Sequence, residues 1–166
     1  MAYLLDANVF IQAKNLHYGF DFLPGFWDWL IGENYAGRVF SIEKVGDELR
    51  AIQDDLSVWA AERGRGFFLR PEPAILPMLT RVSAWASAQR YEPSAVSSFL
   101  QVADYYLVGA ALTLGHTVVT HEVASTSTKK IKIPDACIGL GVKCVTPYEM
   151  LRNSGARFVL SPTGTA

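Results

Sequence analysis

Four carboxylates in this chain stand where carboxylates are unexpected: Asp6, Glu48, Asp104 and Glu122. Asp6 ends the apolar run Tyr3-Leu4-Leu5, at the point where a buried strand should stop, and Asn8 follows it. An acid there can simply cap a helix, accepting hydrogen bonds from its first free N–H groups. Asp104 falls inside a predicted helical stripe of Leu100, Leu107, Ala111 and Leu114, at i+4 from the first and i−3 from the second. A carboxylate on a buried face is costly unless it is hydrogen-bonded, paired or bound to a metal. A tyrosine or backbone donor is the plain alternative partner. Glu48 lies at the margin of a second stripe, Val45, Ile52 and Trp59, whereas Glu43, Asp47, Asp54 and Asp55 fall on its solvated face. Glu122 follows the β-branched run His116–Thr120.

Carboxylates brought together would repel, each pair at 4 Å by about 4 kcal/mol at an effective dielectric of 20. They persist near neutral pH only with cations between them. Oxygen ligands without imidazole or thiolate partners select Mg²⁺ or Mn²⁺ over zinc. Such a site keeps waters and leaves room for phosphate oxygens, which points to metal-assisted phosphodiester hydrolysis. A phosphatase of the haloacid dehalogenase type also opens with an Asp at the end of its first strand. It needs a second Asp two residues on, and here that residue is Asn8.

The elements that must position these acids alternate between strand and helix. Tyr3–Leu5 reads as a strand and Asp6–Lys14 as the helix after it; LPGFWDWLIGE reads as a second helix with Pro24 at its start. Arg38–Ser41 is a short strand. IEKVGDELRAIQDDLSVWAAERG then carries apolar residues at helical spacing until Gly64 and Gly66 stop it. Phe67–Leu69 is a candidate edge strand. The segment PAILPMLTRVSAWASAQR confines Pro73 and Pro77 to its first turn. Pro93 opens a helical stretch that ends in FLQVADYYLVGAALTLG, closing on Gly115. HTVVT is the clearest strand, followed by the polar loop ASTSTKKIKI and a short helix from Pro134. Val142–Val145 reads as a buried strand. Thr146, Pro147 and Glu149 make a capping box for the last helix. The final SPTGTA reads as frayed. Alternating short apolar strands and helices predict an α/β fold with a parallel sheet covered on both faces. Ligands of such sheets bind beyond the carboxyl ends of the strands, which puts Asp6 and Glu122 on one edge.

At 166 residues the chain fits one domain with a sizeable core. Half of it is hydrophobic and 19% charged, which excludes a disordered segment. A net charge of −1 gives no bulk attraction for nucleic acid, although a local basic patch can still hold phosphates. Cys137 and Cys144 sit in apolar surroundings and read as reduced, buried thiols. No apolar run approaches a membrane span and the start lacks a charged signal region, so the expectation is a soluble, cytoplasmic protein without a membrane partner.

DANVF after the first strand, SIEKVGDEL in a helix and ADYYLVGAALTLGHTVVTHE together resemble the PIN-domain ribonucleases. That pattern has Asp-x-Asn/Ser at strand one, a Glu-Leu pair in a helix, and an Asp opening a helix that leads to a Val-Val-Thr-x-Asp/Glu strand. Asp6, Glu48, Asp104 and Glu122 occupy those places in order. Within the superfamily, NVFIQAKNLHYGFDFLPGFWDWL and KKIKIPDAC are similar to an uncharacterised bacterial PIN-like group related to VapC toxins. The resemblance implies a three-layer α/β/α sandwich over residues 1–153, with 154–166 as an extension. It also implies RNA cleavage with Mg²⁺ or Mn²⁺ held by the four acids, and a toxin held in check by an antitoxin protein. A homodimer is a further candidate assembly, and a non-catalytic interaction module is the alternative reading. The fourth position departs from the usual Asp, and Asp135 competes with Glu122 for that corner. Asn8 and Thr120 match positions that support the acids by hydrogen bonding. Lys129, Lys130 and Lys132, and also Lys14, are candidate phosphate holders, with a solvated surface as the alternative for each. His17, His116 and His121 show no ligand spacing and receive no role. The aromatic segment Phe20–Leu30 is expected in the core or at a partner interface.

Overall fold

The computed structural model describes residues 1–162; Thr163–Ala166, the end of the stretch expected to fray, lie outside the described residues. Its centre is a parallel sheet in the order β3-β2-β1-β4-β5. The strands are β1 (Tyr3–Leu5), β2 (Val39–Ile42), β3 (Phe68–Leu69), β4 (Thr117–Val119) and β5 (Cys144–Val145). In β1 Leu4 pairs with Phe40 of β2 on one side and with Val118 of β4 on the other. Leu4, Leu5, Val118 and Val119 are fully buried. Such continuous apolar strands are what a parallel sheet covered on both faces demands. The fold is a three-layer α/β/α sandwich, as expected from the alternation of elements.

The helices are α1 (Ala7–Gln12, continued by a π-helical turn over Ala13–His17), α2 (Pro24–Tyr35), α3 (Glu43–Ala51), α4 (Asp55–Arg63) and α5 (Ile75–Ala88). They continue with α6 (Pro93–Phe99), α7 (Ala103–Leu114), α8 (Ile133–Leu140) and α9 (Pro147–Asn153). Helix α5 packs on α7 and α8, and α3 on α4 and β3. Gly46 allows that last approach, since a Cβ there would stand 2.9 Å from the Phe68 ring. Gly109 does the same for α7, where a Cβ would meet Leu79 of α5 at 2.6 Å. An aromatic cluster of Phe10, Trp27, Trp59, Phe67 and Phe68 fills the space between α1, α2, α4 and β3. Phe158 packs against Phe26 and Trp29, so the core extends beyond residue 153.

Three expectations about elements need correction. The helix expected from residue 42 to 64 is two helices. Gln53 takes a left-handed conformation (φ 62°), and Asp54 caps α4 through a reciprocal box with Ser57. Ile52 is consequently 44% exposed instead of lying in a buried stripe. The stretch from Pro93 to Gly115 is likewise broken between α6 and α7, with a bend of 67°. The strand at 142–145 shrinks to Cys144–Val145 and is only half-buried, because Val142 instead closes the turn after α8 with its N–H on the Cys137 carbonyl. Other local signals are met: Pro24 opens α2, Gly115 ends α7 in a left-handed conformation, and Thr146 and Glu149 form the capping box of α9. Among the described residues no single helix is long and apolar enough to cross a membrane.

Candidate active site

Asp6 occupies the N-cap position of α1 in an extended conformation, yet its side chain makes no capping hydrogen bond. The plain reading of this acid therefore fails at the atomic level. Its backbone N–H stays in the sheet, bonded to the Val119 carbonyl, which holds the carboxylate at the junction of β1 and β4. There its Oδ2 accepts the Thr120 hydroxyl at 2.9 Å. Thr120, wholly buried beyond β4, is a hub: its Oγ1 also accepts the Glu122 N–H at 3.0 Å and lies 3.4 Å from the Asn8 amide nitrogen. Asn8 Oδ1 in turn accepts the His121 N–H. The expected supporting roles of Asn8 and Thr120 thus have a definite geometry: Thr120 holds Asp6 directly, and Asn8 acts through Thr120 and the chain after it. The same commitment of Asn8 lends no support to a phosphatase, which would need an acid at that position.

Asp6, Glu48, Asp104 and Glu122 line one cleft of about 580 Å³ beyond the carboxyl ends of β1 and β4. Four segments distant in sequence supply them. Asp104 reaches the cleft from the first turn of α7, not from mid-helix, because Leu100 belongs to the break. A carboxylate at that end also gains from the helix dipole. Glu48 projects from α3, two residues beyond the close approach of Gly46 to β3. Asp47, expected on a solvated face, also lines the cleft, with its carboxylate on Arg50 at 2.7 Å.

Burial and mutual repulsion act together here. Burial, then the Asp104 charge, pushes the Asp6 carboxyl up to about 7, against the pull of the Thr120 hydrogen bond. Burial, then Glu122 and Glu48, pushes Asp104 up to about 6, with Lys130 opposing. Glu48 is raised by partial desolvation. Glu122 is shared: its Oε2 accepts the Ile133 N–H at 2.8 Å, at the amino end of α8, while Oε1 lies 4.0 Å from Lys130 Nζ.

The two candidates for the fourth corner differ in position, and only Glu122 lines the cleft. Asp135 does not line the cleft; its Oδ2 accepts the Ser125 N–H and pins the loop after Glu122. Of the candidate lysines, Lys129 and Lys130 line the cleft, Lys132 precedes the first turn of α8 without a side-chain cap, and Lys14 forms an ion pair with Asp54 at 2.9 Å. Lys44, overlooked in the sequence, joins the lining and lies 4.2 Å from the Tyr106 ring centre. The aromatic segment is mainly core: Phe26, Trp27 and Leu30 are buried and Phe20 stacks on Trp27, leaving Phe22 as its exposed ring. Cys137 and Cys144 are free thiols, the first buried and the second half-buried.

The lining contains carboxylates but no imidazole or thiol, so its donor chemistry fits a hard divalent cation. Among the described residues no three of its acids are already gathered as closely as a preformed metal site requires. Five carboxylates line the cleft; Asp47 is paired with Arg50, and the other four are those a cation would have to draw together. The class of protein so defined is an α/β/α sandwich with an acidic cleft at the carboxyl edge of its sheet. A family model described as a domain of unknown function, DUF4411, matches residues 3–158, and the chain belongs to that family. Neither the curated proteins nor the solved structures provide a match to it.

Proposed function

We propose that this protein is a PIN-like ribonuclease that hydrolyses phosphodiester bonds with Mg²⁺ or Mn²⁺, and that it is the toxin of a toxin–antitoxin pair. The observation that carries the nuclease reading is the convergence of Asp6, Glu48, Asp104 and Glu122 on one cleft, with two of them held well above the usual carboxylate range. Carboxyls that burial, and then one another's charge, hold back from ionising are what a divalent cation relieves. When bound, that cation supplies charge neutralisation and an acidified water. The chain's own part is to hold the acids and admit the substrate. Thr120 fixes Asp6, the amino end of α7 presents Asp104, and Lys44, Lys129 and Lys130 offer positive charge to phosphates at the cleft wall.

The test is incubation of the purified protein with a structured RNA in Mg²⁺, in Mn²⁺ and in chelator. Cleavage in either metal, lost in chelator and in Asp6→Ala, is the expected result; intact RNA in every lane with a folded protein refutes it. Expression of the wild type alone should arrest growth, Asp6→Ala should relieve the arrest, and co-expression of the neighbouring gene should rescue growth without lowering protein levels. One observation favours a second reading, a binding module without catalysis: Glu122 already serves α8 and the acids are not drawn together. RNA retention without metal-dependent cleavage would establish it.

A further inference from the structure

Beside the acid cleft lies a second group of side chains with no part in the scheme above. His17 ends the π-helical turn after α1, His121 follows Thr120, and Tyr148 stands in the first turn of α9. Their rings form a near-equilateral triangle: centroids are 5.4 Å apart for His17–His121, and 5.7 Å for each histidine with Tyr148. The Tyr148 hydroxyl lies 3.1 Å from His17 Nε2.

Packing of α9 does not require this triangle. Met150 and Leu151 anchor that helix in the core, Thr146 and Glu149 cap it, and Tyr148 remains 38% exposed. The backbone N–H of His121 donates to Asn8 Oδ1, which fixes the chain that carries this ring, and the hydroxyl contact orients Tyr148 against His17 before any ligand arrives. Tyr148 stands at 79° and 67° to the His17 and His121 rings, so the three share no plane. A ring fixed in advance loses little freedom on binding, which favours a flat ligand stacked on one exposed face. Location adds the rest. His121 lies in the chain between Thr120, which holds Asp6, and Glu122, which lines the cleft. The backbone of His121 is therefore one residue's step, ~3.5 Å, from that of Glu122, and its other neighbour holds Asp6.

We infer that His17, His121 and Tyr148 form a stacking subsite for an unpaired nucleobase of the strand whose phosphates enter the acid cleft. The subsite rests on the nuclease reading and makes its substrate more specific: a single strand, or a loop, with at least one base free to leave its neighbours. An aromatic face accepts any base, so the subsite positions the strand without reading its sequence. Aromatic stacking with splayed bases is the usual way proteins engage single-stranded RNA.

The probe is a short single-stranded oligoribonucleotide carrying 2-aminopurine at each position in turn, bound by the full chain in Ca²⁺. Stacking should quench the fluorescence at one position in the wild type. Tyr148→Leu and His17→Leu should lose that quenching and bind roughly tenfold more weakly, the order expected for one base on an aromatic face. Tyr148→Phe, which keeps the ring, should remain within about threefold of the wild type. Absence of quenching at every position, or unchanged quenching and affinity in both folded leucine variants, overturns the subsite. The wild-type profile is read without any variant, so a variant that fails to fold does not remove the test. Cleavage in Mn²⁺ is scored in parallel. Cleavage with ring-independent binding refutes the subsite and leaves the nuclease; ring-dependent quenching without cleavage does the reverse.

Discussion

Asp104→Asn offers the sharpest separation between an acid kept for function and one kept for structure. The fold raises this carboxyl from 3.8 to about 6, with burial the largest cause, and Glu122 and Glu48 next. A carboxyl raised in the fold binds more protons folded than unfolded between those two values, so its burden is absent below about pH 4. It grows as pH rises and is complete above the folded value. At 1.36 kcal/mol per pH unit, ionised Asp104 costs about 3 kcal/mol at pH 8. Asparagine keeps the shape and removes the charge, but forfeits up to about 1 kcal/mol of interaction with the amino end of α7. The net gain is about 2 kcal/mol at pH 8 and near zero at pH 4. For a chain of 166 residues, each kcal/mol moves Tm by about 2–4 °C. Thermal unfolding in chelator should therefore show Asp104→Asn melting about 4–8 °C above the wild type at pH 8, and level with it at pH 4. Metal-dependent RNA cleavage should vanish in the same variant. A lower Tm at pH 8, or an equal gain at both pH values, would refute the electrostatic account of this residue.

The wild type itself should lose stability in chelator as pH rises from about 4 to 7, because burial and Asp104 hold the Asp6 carboxyl at about 7. Added Mn²⁺ should recover more Tm at pH 8 than at pH 4, and an equal effect at both would argue against the cleft as its site. Thr120→Val should cost about 1–3 kcal/mol by leaving Asp6 without its hydroxyl donor and the Glu122 N–H without its acceptor, read as a fall in the urea midpoint. Glu122→Gln should lower metal-dependent cleavage about a hundredfold while Asp135→Ala stays within a few-fold of wild type. The latter variant should instead speed hydrogen exchange at the Ser125 amide, which Asp135 holds. Reversal of the two cleavage results would put Asp135 in the fourth corner.

The sheet was the most legible part of the chain, for a reason of chemistry. Buried parallel strands must be continuously apolar, and YLL and HTVV announce that without help from distant residues. Asp6 was legible for the same cause: a charge directly after such a strand can only stand at its carboxyl edge. What remained hidden depended on side-chain choices among alternatives of equal local merit. Asp135 and Glu122 look interchangeable in the sequence, and only the path of the loop gives one to Ser125 and the other to the cleft. Lys44 and Asp47 sit on the turn of α3 that faces α7, a relation set by packing and invisible to periodicity. The His17–His121–Tyr148 group joins residues up to 131 positions apart, so no spacing rule could have found it.

The two helix breaks show how a local error and a functional insight can meet at one place. Apolar spacing runs through both breaks and suggested unbroken helices, since periodicity reports which face is apolar and is blind to a change of axis. At residues 52–54 the stop had a local signature, an Asp three residues before a Ser that completes a capping box. At residues 100–102 the segment Leu-Gln-Val contains neither Gly nor Pro. There α6 closes with tighter i→i−3 bonds, from the Gln101 N–H to Ser98 and from the Val102 N–H to Phe99. An uninterrupted helix would have set Asp104 in mid-helix, as a buried charge without relief. The 67° turn makes it instead a first-turn acid, aimed at the cleft and favoured by the helix end it sits on. An ionisable residue that looks misplaced within an apolar stripe is thus evidence against the continuity of the stripe. Here the break and the candidate site meet at the same carboxylate.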